Sequence, residues 1–277
     1  MKLSVIIVNN NACILLKQAL NSLINACKGI EYELFIVDNA STDNSIAMIG
    51  SDFPQAKLIA NLTDVGIAKA NNQAIAQSIG EYILLVSADT ISVKDSIQKM
   101  TAFMDQHTEA GGLGIRMLSP QGRFLTESIH GLTTQWSSFF KFIGFAKHLS
   151  KTRLQDRNRK DWVEEFQIAE VDILNGACML LRRSVLNESG MFDDRFFKYG
   201  YDIDLSYRIR LAGFKNYYFP KTYIINYGIL RASKFSWTYI KYFYGAMFIF
   251  AAKYLLRVPE IKVEGLPQLF PSTYEVK

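Results

Sequence analysis

Residues 3–39, "LSVIIVNNNACILLKQALNSLINACKGIEYELFIVDN", decide the fold. They open on a β-branched apolar run, "LSVIIV" (3–8), that stops at Asn9, Asn10 and Asn11. The segment "ACILLKQALNSLINAC" (12–27) has the apolar spacing of a helix, and "YELFIV" (32–37) is a second apolar run ending at Asp38 and Asn39. Strand, helix and strand in that order predict a βαβ unit with parallel strands. Working outward, "STDNSIAMI" (41–49), "KLIA" (57–60), "GIAKANNQAIAQSIG" (66–80) and "EYILLV" (81–86) continue the alternation. The expectation is an α/β fold with a Rossmann-like, mostly parallel central sheet.

Such sheets bind ligands beyond the carboxyl ends of their strands, in the crevice where strand order reverses. Polar residues cluster at those ends: Asn9 and Asn10 after the first strand, Asp38 and Asn39 after the second, Asp64 after the third, Ser87 and Asp89 after the fourth. Each alone reads equally well as a turn residue or helix cap, and Ser41, Thr42 and Asp43 are good caps for the next helix.

With 277 residues, 49% of them hydrophobic, the chain is long enough for one large domain or two small ones with a real core. The formal charge of +5 leans toward anionic small molecules or a lipid surface rather than nucleic acid. Cys13, Cys27 and Cys178 lack the paired spacing of a zinc site and read as buried thiols without a disulfide, as in a reducing cytoplasm. The opening "MKLSVIIV" reads as a first strand rather than a leader, because its apolar run ends at Asn9.

The second half differs. Residues 131–170 are irregular, aromatic and basic, with six cations in "KHLSKTRLQDRNRK" (147–160), which reads as a loop. In "ILNGACMLLRR" (173–183) a turn leads into a buried strand, Gly176 and Ala177 permitting close backbone approach. In "FFKYGYDIDLSYRIRLAG" (196–213), Leu205, Ile209 and Ala212 fall on one helix face, with Asp202 at its head. Asp204 lies about 200° around from Asp202 and four residues before Arg208, the spacing of an exposed ion pair. Asp202 also reads as a helix N-cap. Two short strands, "KNYYF" (215–219) and "YIINY" (223–227), follow. In "KFSWTYIKYFYGAMFIFAAKYLL" (234–256), the stretch between Lys241 and Lys253 is too short to span a bilayer, which takes about twenty residues. It reads either as a core helix or as an interfacial one, with those lysines and the 147–160 run attracting anionic lipid.

In order, "VDNASTDNS" (37–45), "DVGIAKANNQAI" (64–75), "GEYILLVSADT" (80–90), "NGACMLLRRSVL" (175–186) and "GMFDDRFFKYGYDIDLSYRIRLAG" (190–213) resemble the family 2 glycosyltransferases, in particular their rhamnosyltransferase-like branch. The likeness runs from about residue 3 to about residue 228. It implies a GT-A fold, a catalytic domain over residues 1–230, and a helical extension over 231–277. Residues 1–118 would then form the nucleotide-sugar half and 119–230 the acceptor half.

The implied reaction is an inverting transfer from a UDP- or dTDP-sugar, in the cytoplasm or at the inner face of its membrane. The implied acceptor is a growing cell-surface polysaccharide or a glycan on a polyprenyl diphosphate. Residue by residue, Asp38 matches the acid that hydrogen-bonds a pyrimidine base, and Asn10, Asp64, Asn71, Ser87 and Ala88 fall on the nucleotide-sugar site. Asp89 matches the last acid of the "DxD" motif, which holds Mg2+ or Mn2+ on the diphosphate. Asp202 matches the general base.

Three positions depart from the pattern. Tyr201 stands where relatives usually carry an acid, Ser87 holds the first "DxD" position, and Asn226 stands where they often have a metal-binding His. A GT-A-fold protein that binds nucleotide or glycan without turnover is therefore the alternative. A dinucleotide-binding oxidoreductase fits less well, because "GGLG" (111–114) lacks the GxGxxG spacing, and no motif supports nucleic-acid binding.

Overall fold

The computed structural model describes residues 1–130, 165–228 and 236–254. The basic run 147–160 and most of the irregular segment expected over 131–170 lie outside the described residues. The four expected strands are β1 (Leu3–Asn9), β2 (Tyr32–Asn39), β3 (Lys57–Asn61) and β4 (Tyr82–Val86), alternating with α1 (Cys13–Ala26), α2 (Ser45–Asp52) and α3 (Ile67–Gln77). They pair in parallel in the order β3-β2-β1-β4. The chain winds outward from β1 to β3 and returns to the other side of β1, so strand order reverses between β1 and β4.

The second half completes one mixed sheet of nine described strands. Its elements are β5 (Thr90–Ser92), α4 (Ser96–Gln106), β6 (Ala110–Leu118), α5 (Glu127–His130), β7 (Ala169–Val171), β8 (Cys178–Arg182), α6 (Arg183–Ser189), α7 (Tyr201–Leu211), β9 (Lys215–Asn226) and α8 (Trp237–Tyr254). Beyond β4 the order is β8-β6-β9-β5, with β7 on β9. Strand β8 runs antiparallel to both β4 and β6, while β6 and β9 are parallel.

The two short strands expected over 215–227 are one strand, β9. Its ladder to β6 jumps from Phe219 to Tyr223, because Pro220 has no N–H to donate while the backbone stays extended. The "GGLG" segment lies inside β6, where glycine is needed for packing. A Cβ on Gly111 would sit 2.5 Å from the Ile209 side chain, and one on Gly112 would sit 2.4 Å from Leu174.

Alternation along the strands builds two cores, one on each sheet face. Val5, Ile7, Leu34, Ile36 and Leu84 meet Leu16, Leu20, Leu23, Met48 and Met100 of α1, α2 and α4. Ile6, Phe35, Val37, Ile83 and Leu85 meet Ala68, Ala74, Val185, Leu205, Ile209, Phe243 and Phe250 of α3, α6, α7 and α8. The inner face of α8 is thus part of the core. Its outer face sets Trp237, Ile240, Tyr244 and Phe248 in solvent, Trp237 being 85% and Phe248 70% exposed. No described helix is long and apolar enough to cross a membrane. Cys27 and Cys178 are buried free thiols, and burial pushes each up to about 12; Cys13 is also free.

Candidate active site

The carboxyl ends of β1 and β2 are laced together by side chains. Asp38 is fully buried; it accepts Asn9 Nδ2 at 2.8 Å on one oxygen and the Ser41 N–H at 2.8 Å on the other. Asn10 is exposed and donates to the Asn39 carbonyl at 2.6 Å. Asn11 accepts the Thr42 N–H at 2.7 Å and the Asp43 N–H at 3.2 Å. This turn holds two non-glycine residues in the left-handed region, Asn11 at φ 53° and Ala40 at φ 56°. For Asn the cost is small, whereas Ala carries a Cβ clash with no compensating side-chain bond.

Asp64, after β3, accepts the Gly66 N–H at 3.0 Å and Asn39 Nδ2 at 3.2 Å, and pairs with Lys198 Nζ at 3.4 Å. The sequence gives no signal for Lys198, which the fold brings from 134 residues away. Phe197, beside it, accepts the Ile67 N–H at 2.7 Å, and its ring packs where a Gly66 Cβ would stand. Asn71 is buried on α3. The neighbouring Asn72 binds the Phe192 backbone through both its amide atoms and donates to Asp194 at 2.7 Å, tying α3 to the segment before α7.

After β4, Ser87 Oγ donates to Asp89 Oδ1 at 2.6 Å, and Asn226 Nδ2 lies 3.3 Å from the same oxygen. Ala88 turns its methyl into the core, so its backbone is what it offers a ligand. The fold therefore unites Ser87, Asp89 and Asn226 although Asn226 closes β9, because Thr90 and Asn226 are register partners. A groove of about 570 Å³ opens beside them, lined by Ser119, Pro120, Gln121, Leu125, Asn226, Tyr227 and Gly228. A second groove, of about 620 Å³ between α1 and α2, contains none of the candidate residues.

For a divalent cation, this donor set offers one carboxylate, one hydroxyl and one amide. Turning the Asn226 amide would present its oxygen in place of its nitrogen. All three are then hard oxygen donors of the kind such ions take, with one charge among them, so the residues fit a weak site. No group of three His, Cys, Asp or Glu side chains suited to a metal occurs among the described residues.

Asp202 stands in the first turn of α7 but does not cap it. The helix is entered through Gly200 at φ 82°, and no side chain caps it. Instead Asp202 Oδ2 accepts the Gly176 N–H at 3.1 Å and Oδ1 accepts the Ile203 N–H at 3.0 Å. Gly176 lies two residues before β8, and the next residue, Ala177, accepts the Ser87 N–H at 2.9 Å. Asp202 is thereby brought beside the end of β4. Burial pushes its carboxyl up to about 6, against the lowering effect of the two N–H donors. Tyr201 is buried, with its ring over Gly176, where a Cβ would fall 2.3 Å from the hydroxyl, and edge-on to Phe192 at 5.5 Å.

Two expectations on α7 are corrected. Ala212 is exposed, because it lies past the last turn. Asp204 does pair with Arg208, at 2.8 Å, but both are buried, at 0% and 2% exposure. Asp204 also accepts Lys253 Nζ at 2.7 Å and the Tyr254 hydroxyl at 2.7 Å. Arg208 donates to the carbonyls of Ser189, Gly190 and Met191. Lys253 continues to Asp193 at 2.9 Å, which Arg195 also grips. Burial raises the Asp193 carboxyl, but the hydrogen bond and charge of Arg195, with the charge of Lys253, outweigh it and hold the group well below the usual carboxylate range. Lys253 is thus an internal cation, and of the two lysines expected to attract lipid, Lys241 is the exposed one.

Residues 4–190 match the profile described as glycosyl transferase family 2. Among curated proteins, the chain is 25% identical over 211 residues to an N-acetylglucosaminyl-diphospho-decaprenol L-rhamnosyltransferase of Mycobacterium tuberculosis, covering 70% of this chain and 66% of that protein. It is 29% identical over 133 residues to the poly(ribitol-phosphate) beta-N-acetylglucosaminyltransferase TarS of Staphylococcus aureus, covering 47% of this chain and 23% of TarS. The chain thus spans less than two thirds of the length of these relatives. In three dimensions it resembles TarS with a TM-score of 0.62 at 22% identity, over 91% of this chain and 39% of that one. It also resembles a Pyrobaculum calidifontis mannosyltransferase, solved with GDP-Man and Mn2+, with a TM-score of 0.59 at 17% identity, over 83% of this chain and 58% of that one. Both likenesses are to the GT-A fold.

Proposed function

The chain belongs to glycosyl transferase family 2, and from that premise we propose that it is an inverting glycosyltransferase. The donor is a UDP- or dTDP-sugar, and the acceptor a growing cell-surface polysaccharide or lipid-linked glycan. One observation carries the reading. Asp202 is held by the Gly176 N–H beside the end of β4, where Ser87 and Asp89 follow, and burial raises its carboxyl to about 6. A carboxylate so placed suits a general base.

In an inverting transfer the acceptor hydroxyl oxygen attacks the anomeric carbon, and the bond from that carbon to the diphosphate oxygen breaks. Asp202 takes the hydroxyl proton as the new glycosidic bond forms. Asn10, Asp38 and Asp64 line the donor end, with Asn71 on the helix behind them. The Asp38 carboxylate uses two of its acceptor positions on Asn9 and Ser41, which leaves others for a base N–H. Asp89, with Ser87 and Asn226, would hold the Mg2+ or Mn2+, which when bound supplies positive charge to the leaving diphosphate. Residues 1–118 serve the donor and 119–230 the acceptor, the groove beside Asn226 giving the acceptor half its opening.

The acceptor and donor for which these relatives are known support this choice. The mycobacterial protein is named for a decaprenyl-diphosphate-linked acceptor, and TarS has been solved with UDP-GlcNAc. Action at the inner face of the cytoplasmic membrane follows from such an acceptor. The outer stripe of α8, Trp237, Ile240, Tyr244 and Phe248 with exposed Lys241 alongside, supports peripheral attachment to anionic lipid. Failure to float with anionic vesicles at low salt would remove that part of the reading, and self-association in its place would assign the stripe to a second copy.

The deciding assay is transfer from a panel of UDP- and dTDP-sugars with Mn2+ or Mg2+, comparing the wild-type chain with Asp202→Asn. The expected result is loss of transfer by about 10² to 10⁴ with donor binding retained. Full activity in Asp202→Asn would overturn the mechanism. Nucleotide binding without turnover by the wild-type chain, across the whole panel, would favour a catalytically impaired paralogue, the reading that Tyr201 and Asn226 keep open.

A further inference from the structure

The role of α8 does not end with closing the core. Asp202 and Asp204 lie two positions apart on α7, so their side chains diverge by about 200° around its axis. Asp202 points at the Gly176 turn and Asp204 points backwards, into the cluster formed with Arg208, Lys253 and Tyr254. Lys253 joins three separate stretches of chain. Its Nζ lies 2.7 Å from Asp204 Oδ1 on α7 and 2.9 Å from Asp193 Oδ2 in the approach segment, while its backbone belongs to α8.

The same helix lines the rest of that approach. Tyr242 stacks on Phe197 at 4.5 Å, Tyr239 and Phe243 take the edge of Tyr199, and Ala246 abuts Gly200, where a Cβ would lie 3.2 Å from its own. Phe197, Tyr199 and Gly200, on the approach to α7, therefore all meet α8. The rotation of α7 about its axis, which aims Asp202, is fixed from behind.

We propose that Lys253, through Asp204, is a positioning residue for the Asp202 base, and that α8 is an integral part of the catalytic unit rather than an extension of it. This rests on Asp202 being the base. The match to the family profile ends at residue 190, before α7 and α8, so it assigns no role to this contact. The physical consequence is specific. Without the charge at 253, Asp204 keeps Arg208 and Tyr254 but loses its link to Asp193, and α7 gains freedom to rotate. A shift of about 1 Å at a catalytic group costs up to about 10² in rate without touching a donor bound elsewhere.

The test compares Lys253→Met, Lys253→Arg and the milder Tyr254→Phe with Leu23→Ala, a buried substitution in the opposite core that lowers stability away from α7. Lys253→Met is expected to lower kcat about 10- to 100-fold at unchanged donor KM, Lys253→Arg to recover part of the loss, and Tyr254→Phe to lower kcat several-fold. Leu23→Ala is expected to keep its kcat at a temperature where it stays folded. A second readout needs no substrate: hydrogen exchange at the Gly176 amide, which Asp202 holds, should accelerate in Lys253→Met and Tyr254→Phe beyond any rise in Leu23→Ala. Wild-type kcat in both Lys253→Met and Tyr254→Phe, or Gly176 exchange no faster than in Leu23→Ala, would overturn the proposal. If Asp202→Asn is itself active, the mechanism fails first; if it is dead while Lys253→Met and Tyr254→Phe keep the wild-type kcat, the positioning role alone fails.

Discussion

Replacing Asp204 by Asn separates the two descriptions of this residue. An exposed pair four residues apart on a helix is worth about 0.3–0.5 kcal/mol, so on the sequence alone the change is nearly silent. In the folded chain Asp204 has no exposed surface, and its two oxygens take three donors: Arg208 Nε at 2.8 Å, Lys253 Nζ at 2.7 Å and Tyr254 Oη at 2.7 Å. Hydrogen bonds to charged groups contribute about 1.5–3 kcal/mol each. An amide of the same shape keeps one acceptor and turns an NH2 toward donors, which removes the Asp204 charge from beside Arg208 and leaves Asp193 as the carboxylate facing Lys253. Breaking a buried pair in this way costs about 3–5 kcal/mol. Urea unfolding followed by far-UV circular dichroism reads the difference. With a slope of about 3 kcal/mol/M, the midpoint should fall by about 1 to 1.7 M. A fall under about 0.3 M with an unchanged slope would refute the reasoning, since it would mean that the cluster contributes no more than a surface pair.

Three further outcomes are expected. Asp202 can accept a proton only when ionised, so with its carboxyl pushed up to about 6 the transfer rate should rise with pH through that value and level off above it. An acid limb at the ordinary aspartate value near 4 would mean that burial does not tune the base. The same shift sets the sign for folding: the native state binds the proton more tightly than the unfolded chain, so this group's contribution to stability falls as pH rises from about 4 to about 6 and is flat beyond. Asn226→His, which gives Asp89 an imidazole neighbour, should tighten Mn2+ binding measured by calorimetry and raise turnover, whereas unchanged affinity would argue against Asp89 and Asn226 sharing a cation. Ala40→Gly, at φ 56°, should raise stability by about 1 kcal/mol in thermal unfolding by removing a Cβ clash in the left-handed region, and a loss of stability would show that the turn tolerates alanine without strain.

The four parallel strands and the helices between them were legible in the sequence because their determinants are local. Strand and helix periods of 2 and 3.6 are written in consecutive residues, and chain order with the topology of parallel sheets then places Asn10, Asp38, Asp64, Ser87 and Asp89 along one edge. The close approach at Gly176 was readable for the same reason. Short β5 and β7, and β6 with its run of glycines, carry too little periodicity to be seen; β6 exists because Ile209 and Leu174 fill the space its glycines leave. Asp202 and Asp204 mark the boundary most sharply. Their helical spacing fixes that they face opposite ways, a matter of backbone geometry over two residues. Whether the far face meets water or a lysine from α8 is a matter of where position 253 ends up, and no local pattern encodes that. A carboxylate stays buried when counter-charges from distant segments meet it there, so the environment of Asp204, and likewise the contact of Lys198 with Asp64, were decided by the tertiary structure alone.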